Sequence, residues 1–331
     1  MKRFYKILGY LVLIIVVVAG ILFMYVGFGL PNIDAPKDLK VEVTPERVER
    51  GKYLAYSVTV CMDCHSTRDM NLLTAPLVPG TDGKGGEIFD HRFGFPGKFI
   101  SKNITPFNLK NWSDGEIYRA ITSGVSKSGK AIFPVMPYAY YGKMDKEDIY
   151  SIIAFLRTLK PIESETLQSK ADFPMNFILN TIPSDPSHQI KPNPKDEVNY
   201  GKYLTLSAAC FECHTKSDDK GSKVAGMDFA GGWAFSLGDG RVVTSANITP
   251  DKETGIGNYT KEAFIARFKV YADSTYKAPT VGKGEFNTVM PWMMYAGMTE
   301  EDLGAIYEYL KTLKPIRNPI EKFVYKPLAL K

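Results

Sequence analysis

Cysteine and histidine are both scarce in this chain, with four of each in 331 residues. Net charge is small as well, only +5. Lys2, Arg3 and Lys6 supply three of those charges at the extreme N-terminus, and the remainder is nearly balanced. Nucleic-acid binding therefore has no electrostatic support. The apolar fraction of 44% is ordinary for a globular protein. The length predicts about two domains plus extras.

All four cysteines fall in two pentapeptides, Cys61-Met62-Asp63-Cys64-His65 and Cys210-Phe211-Glu212-Cys213-His214. None is left over, so disulfides are not expected. Cys-x-x-Cys-His is the attachment pattern of c-type haem. On a helical turn, residues three and four apart share a face. Cys61 and Cys64 can thus reach two neighbouring vinyl groups of one porphyrin as thioethers, and His65 can place an imidazole nitrogen on the iron. Cys210, Cys213 and His214 repeat the arrangement, which predicts two covalently attached haem c groups. A four-cysteine zinc site would leave both histidines in register by accident. A thioredoxin-like redox pair would need a strand–helix context, twice.

Ile7 to Leu30 is a run of 24 residues without a charge. A bilayer takes about 20 helical residues. A signal peptide has a shorter apolar core, about 7–15 residues, and a small-residue cleavage site that Val17-Val18-Ala19-Gly20 matches poorly. Residues 1–30 therefore read as an uncleaved transmembrane anchor. Lys2, Arg3 and Lys6 stay in the cytoplasm, and everything after Pro31 lies outside it. Residues 31–45 read as an extended tether in which Pro31, Pro36 and Pro45 oppose helix.

The rest of the chain repeats itself. Val48-Glu-Arg-Gly-Lys-Tyr-Leu-Ala matches Val198-Asn-Tyr-Gly-Lys-Tyr-Leu-Thr, each just before a pentapeptide. Asn103-Ile-Thr-Pro recurs at Asn247, Met136-Pro-Tyr as Met290-Pro-Trp, and Leu159-Lys-Pro-Ile at Leu313. The offset drifts from 150 at Gly51/Gly201 to 144 at Asn103/Asn247 and 154 at Met136/Met290, so loops differ while anchor points stay. Each half ends in a helix capped by Asp145 or Thr299, with Asp148 or Asp302 three residues on in a box-like arrangement. Ile149, Ile152, Ile153, Phe155 and Leu156 form the first apolar face, and Leu303, Ile306, Tyr307 and Leu310 the second. A middle helix starts at Ser113 with Glu116 at the box position, and its counterpart starts near Thr260. The expected order is a first domain at 46–162, a proline-rich linker at 163–197, a second domain at 198–316 and a tail at 317–331, tied down by Phe323 and Tyr325. The apolar stretch from Phe173 to Leu179 is expected to pack across the domain interface, with a membrane or partner contact as the alternative.

Each iron needs a sixth donor beyond His65 or His214. Met136 and Met290 occupy matching places, each before a proline and just ahead of the last helix. Methionine is a common donor in electron-carrying haem c. Met144 and Met298 also match, and read as residues packing onto a helix start. Met293 and Met294 are rivals in the second half. His91 sits in a loop with no counterpart, and His188 lies in the linker. The amides of Asn103 and Asn247 could donate to a buried haem propionate, or could serve a turn before Thr-Pro. Trp112, Trp233 and Trp292 read as pocket or core aromatics.

With Gly-Lys-Tyr-Leu before Cys-x-x-Cys-His, Asn-Ile-Thr-Pro, and Met-Pro-Tyr or Met-Pro-Trp in place, residues 46–160 and 198–316 resemble a family. They are similar to the multihaem class I cytochromes c that serve as subunits of bacterial membrane-bound alcohol, aldehyde and gluconate dehydrogenases. The resemblance implies small all-α domains, each around one haem; together with the apolar N-terminal run and the repeat, the expected fold is all-α, an N-terminal transmembrane helix followed by two tandem class I cytochrome c domains. The resemblance also implies axial pairs His65 with Met136 and His214 with Met290. The expected function is single-electron transfer in a periplasmic respiratory or dehydrogenase-linked chain. The protein would be single-pass in the bacterial cytoplasmic membrane, with its haem domains on the periplasmic side. Its partners would be redox proteins: a dehydrogenase, a quinol-oxidising complex or a terminal oxidase. The competing expectations are a dihaem peroxidase, which needs an iron with a releasable position, and a fixed electron-wire subunit of a respiratory complex.

Overall fold

The computed structural model describes residues 1–218 and 221–327. Its first helix, α1 (Lys2–Met24), buries no residue. With the turn that continues it to Gly29, it is the one helix among the described residues long and apolar enough to cross a membrane. The tether ends one residue earlier than expected, because Pro45 opens α2 (Pro45–Tyr53) instead of opposing it. At the first helical position a proline forfeits no hydrogen bond, and Thr44 caps the helix by accepting from the Arg47 amide.

Six further α-helices follow before the second half begins. The first pentapeptide is α3 (Cys61–His65), and α4 (Pro106–Leu109) starts inside Asn-Ile-Thr-Pro. Next, α5 (Asp114–Ser123) opens on the Ser113–Glu116 capping box. Then come α6 (Tyr138–Tyr141), α7 (Lys146–Thr158) and, within the proline-rich stretch, α8 (Met175–Ile178). The second half runs α9 (Glu197–Ser207), α10 (Cys210–His214), α11 (Lys261–Lys269), α12 (Trp292–Tyr295) and α13 (Glu300–Lys311). Both apolar faces named above are buried on α7 and α13.

In each half the first and last helices cross at a glycine. A Cβ on Gly51 would lie 1.8 Å from the Ser151 carbonyl oxygen of α7, and one on Gly201 would lie 1.8 Å from that of Ala305 on α13. Backbone thus packs on backbone, which only a residue without a Cβ allows. The halves meet through the short helices: α6 packs on α9, and α12 packs on the turn 54–58 that follows α2.

The all-α expectation needs correction, because the mostly helical chain also forms two three-stranded antiparallel sheets. One joins β1 (Ile88–Phe89), β2 (Gly97–Ile100) and β3 (Lys170–Ala171). The other joins β4 (Ala234–Ser236), β5 (Arg241–Thr244) and β6 (Phe323–Tyr325). The long connection between pentapeptide and asparagine must pair its backbone groups somewhere, and a hairpin does this. The third strand comes from the proline-rich stretch in one half and from the tail in the other, so Phe323 and Tyr325 do tie the tail down. The stretch from Phe173 to Leu179 packs on the end of α1 rather than between the halves: the Phe177 ring lies 4.4 Å from that of Phe23.

Candidate cofactor sites

A left-handed residue precedes each pentapeptide. Val60 has φ 45° and Ala209 has φ 51°. This conformation is strained for a residue with a side chain, most of all a β-branched one. It turns the chain abruptly from α2 or α9 into α3 or α10. A tyrosine from the last third of each half holds the corner. Tyr141 donates its hydroxyl to the Thr59 carbonyl at 2.7 Å, and Tyr295 donates to that of Ala208 at 2.9 Å. The repeat marks these tyrosines, which stand at matching places five residues after Met136 and Met290 and open a matched segment, but it does not show what they bind.

Both histidines are half-buried and held in the same way. His65 Nδ1 lies 2.7 Å from the Lys102 carbonyl oxygen, and His214 Nδ1 lies 2.7 Å from that of Ala246. A carbonyl can only accept, so Nδ1 carries the proton and Nε2 presents its lone pair. Metal-ligating histidines are oriented by this kind of bond. Burial lowers the pKa of both imidazoles, with the carbonyl contact opposing it, which favours the neutral ring. The histidine carbonyls are bound too, by Gly85 N at 2.8 Å and Gly231 N at 2.7 Å. Both glycines have φ near +70°, and a Cβ on either would lie 2.5 Å from backbone atoms.

Asn103 and Asn247 lie beside those carbonyls, and the turn role accounts for their amides. Asn103 Nδ2 donates to the carbonyls of Ile162 and Ser164, while its Oδ1 accepts from the amide and hydroxyl of Thr105. Asn247 Nδ2 donates to the Ile316 carbonyl and the Thr254 hydroxyl, and its Oδ1 accepts from Thr249. Each amide clasps the chain leaving the last helix onto the loop that carries the histidine's acceptor. With both hydrogens engaged, neither amide has a donor left over for a propionate in this arrangement.

Met136 and Met290 are half-buried and pack against the core. Each sits in a turn closed by its own carbonyl, which accepts from Tyr138 N or Trp292 N at 2.8 Å. Met144 and Met298 are fully buried beneath the last helices, and the rival Met294 is also core. The spare histidines are engaged elsewhere. His91 Nε2 lies 2.5 Å from the Asp172 carboxylate on the surface, and His188 sits between the Tyr118 hydroxyl and the Met144 carbonyl. Trp112 packs on the core, Trp233 stacks near Phe235 under Lys223, and Trp292 sits among Phe268, Tyr271 and Arg267.

Charged neighbours of the pentapeptides were not anticipated. Arg68 bridges Asp63 at 3.0 Å and Glu87 beside the first. Lys223 pairs with Glu212 at 2.9 Å beside the second, and Tyr140 of the first half donates to the same carboxylate at 2.8 Å. Among the described residues no three histidine, cysteine or acidic side chains group to hold a metal ion. The donor set in each half, two thiols, an imidazole with Nε2 free and a half-buried thioether, fits a covalently attached porphyrin.

No protein-family model matches the chain. Over most of its length it is homologous to cytochrome c subunits of dehydrogenases, in keeping with the resemblance drawn from its motifs. It is 26% identical over 294 residues to the cytochrome c subunit of the quinone alcohol dehydrogenase of Gluconacetobacter polyoxogenes, covering 85% of this chain and 58% of that one. It is 24% identical to the fructose dehydrogenase cytochrome subunit of Gluconobacter japonicus, covering 80% and 52%. It is 29% identical to a dihaem c-type cytochrome of Cereibacter sphaeroides, covering 58% and 64%. The chain thus spans a little over half the length of the dehydrogenase subunits it matches.

Proposed function

We propose that this chain is a membrane-anchored dihaem cytochrome c that passes single electrons on the periplasmic side of a bacterial cytoplasmic membrane. Its units are two tandem class I cytochrome c domains, at 46–162 and 198–316, behind the anchor at 1–30. The observation that carries the proposal is the matched pair of imidazoles, each with Nδ1 spent on a carbonyl and Nε2 left to bind. Cys61 and Cys64 would hold one haem c, and Cys210 and Cys213 the other. His65 with Met136, and His214 with Met290, are the proposed axial pairs.

When bound, haem iron supplies the one-electron redox chemistry. The chain's own residues do the rest. The carbonyls of Lys102 and Ala246 fix the imidazole tautomers and raise their basicity. Tyr141 and Tyr295 hold the corners from which the cysteines project. The asparagine clasps keep the acceptor carbonyls in place. The proposed electron donor is a membrane dehydrogenase, by analogy with the relatives' names, with a quinol-oxidising complex or terminal oxidase as the other redox partners.

Intact mass of the protein purified from membranes tests the proposal. It should exceed the apoprotein by two haem groups that acid–acetone does not extract. A mass showing one haem, or zinc, overturns it.

A further inference from the structure

The end of α1 does not stand free. Phe177 of α8 lies 4.4 Å from Phe23, ring centre to ring centre, and Asn180 Nδ2 donates to the Val26 carbonyl at 3.0 Å. Beside this contact the chain exposes large apolar side chains: Phe28 is 86% exposed, Phe173 80%, Ile178 46% and Ile182 37%. Such a cluster needs an occupant.

The depth of Phe23 says what it is. The uncharged run as a helix is about 36 Å long, against a hydrocarbon core of about 30 Å. Measured from Lys6 at the inner boundary, the outer boundary falls near Val26, and Phe23 lies about 5 Å inside it. A side chain packed on Phe23 is therefore at the boundary between acyl chains and headgroups.

We infer that residues 173–182 form a second membrane contact, with Phe173, Ile178 and Ile182 resting beside Phe28 in the interfacial layer of the lipid surface that α1 enters. The inference rests on the proposed anchor. Its consequence is orientation. Residues 31–44 already lie against the first half, where Arg119 donates to the Ile33 carbonyl and Val41 N to Asp114, and a second foot, joined to the same half through β3 and β2, would fix which face of that half looks away from the membrane.

Spin labels on the full-length holoprotein, in vesicles of phosphatidylethanolamine and phosphatidylglycerol, test this. The added cysteines are Phe173→Cys and Ile178→Cys, with Val17→Cys in α1 and Lys252→Cys in the second half as references. Accessibility to oxygen, which partitions into lipid, is compared with accessibility to a water-soluble nickel chelate. Labels at 17, 173 and 178 should favour oxygen, and the label at 252 the chelate. Oxygen preference at 17 with chelate preference at 173 and 178 overturns the inference and leaves the anchor standing. Shielding of 173 and 178 from both reagents would mean a protein contact, and also overturns it. Chelate preference at 17 defeats the anchor and the inference together.

Discussion

Tyr53, in the first half, donates its hydroxyl to Asp302 Oδ2, in the second, at 2.5 Å. Tyr203 returns the contact to Asp148 at 2.7 Å. Each tyrosine oxygen also accepts from the N-cap amide of the opposite last helix, Thr299 N or Asp145 N, at 3.2 Å. Both tyrosines belong to the repeated Gly-Lys-Tyr-Leu and both aspartates to the repeated helix start. The halves are therefore joined by reciprocal exchange, each tying down the other's closing helix. The aspartates do not complete the expected capping boxes, because their carboxylates are turned to this exchange.

Removing one hydroxyl leaves a buried carboxylate short of a donor, and a hydrogen bond to a charged group contributes about 1.5–3 kcal/mol. Tyr53→Phe should lose stability in that range. Tyr203→Phe should lose less, because Asp148 keeps Arg50 at 2.9 Å and Lys191 at 3.2 Å. Urea unfolding of the two holoprotein variants ranks them, and the reverse order would count against this account.

Asp148 also predicts acid sensitivity. Burial pushes its pKa up, but the hydrogen bond and charge of Arg50, helped by Lys191 and Tyr203, outweigh it and leave the pKa below the ordinary value. A depressed carboxylate contributes stability above its unfolded pKa of about 4 and loses it as pH falls through the lower folded value. Asp148→Asn should be less stable than the parent at neutral pH, with the gap narrowing below about pH 4. Thermal unfolding across that range is the check, and a gap independent of pH would contradict the assignment.

The glycine crossings predict a backbone limit. A Cβ at position 201 meets the Ala305 carbonyl at 1.8 Å and its carbon at 2.4 Å. Neither atom can rotate away, so α9 and α13 must separate. Gly201→Ala and Gly51→Ala should each cost about 3 kcal/mol, at the upper end for overpacking, whereas Gly129→Ala, with nothing within 4 Å, should cost far less despite its positive φ. Unfolding free energies of the three variants decide it.

The proposed haem attachment could be read from the sequence because a covalent link from two cysteines to one porphyrin demands a fixed spacing. Cys-x-x-Cys-His admits few other uses, and a second copy removed most of the ambiguity. The repeat also marked Asn103 and Asn247, though not which partners their amides would find, since those lie beyond the last helix. The strands escaped notice because two to four residues are too few for alternation to register, and β3 and β6 pair with strands far away in sequence. Tyr53 and Asp302 were both in view within repeated motifs. Their partnership was not, because a repeat aligns each residue with its copy and says nothing of contacts between copies.

Under the proposed function Met136 and Met290 complete two His/Met-ligated haems, and near-infrared absorption reads that ligation. The oxidised protein should show a methionine-to-iron charge-transfer band of the intensity expected for two haems. Met136→His or Met290→His should remove half of it and lower one potential, since Met/His ligation raises potential. The reduced protein should bind carbon monoxide poorly. A high-spin haem that turns over peroxide, with the band at half strength or missing in the unmodified protein, would contradict the account.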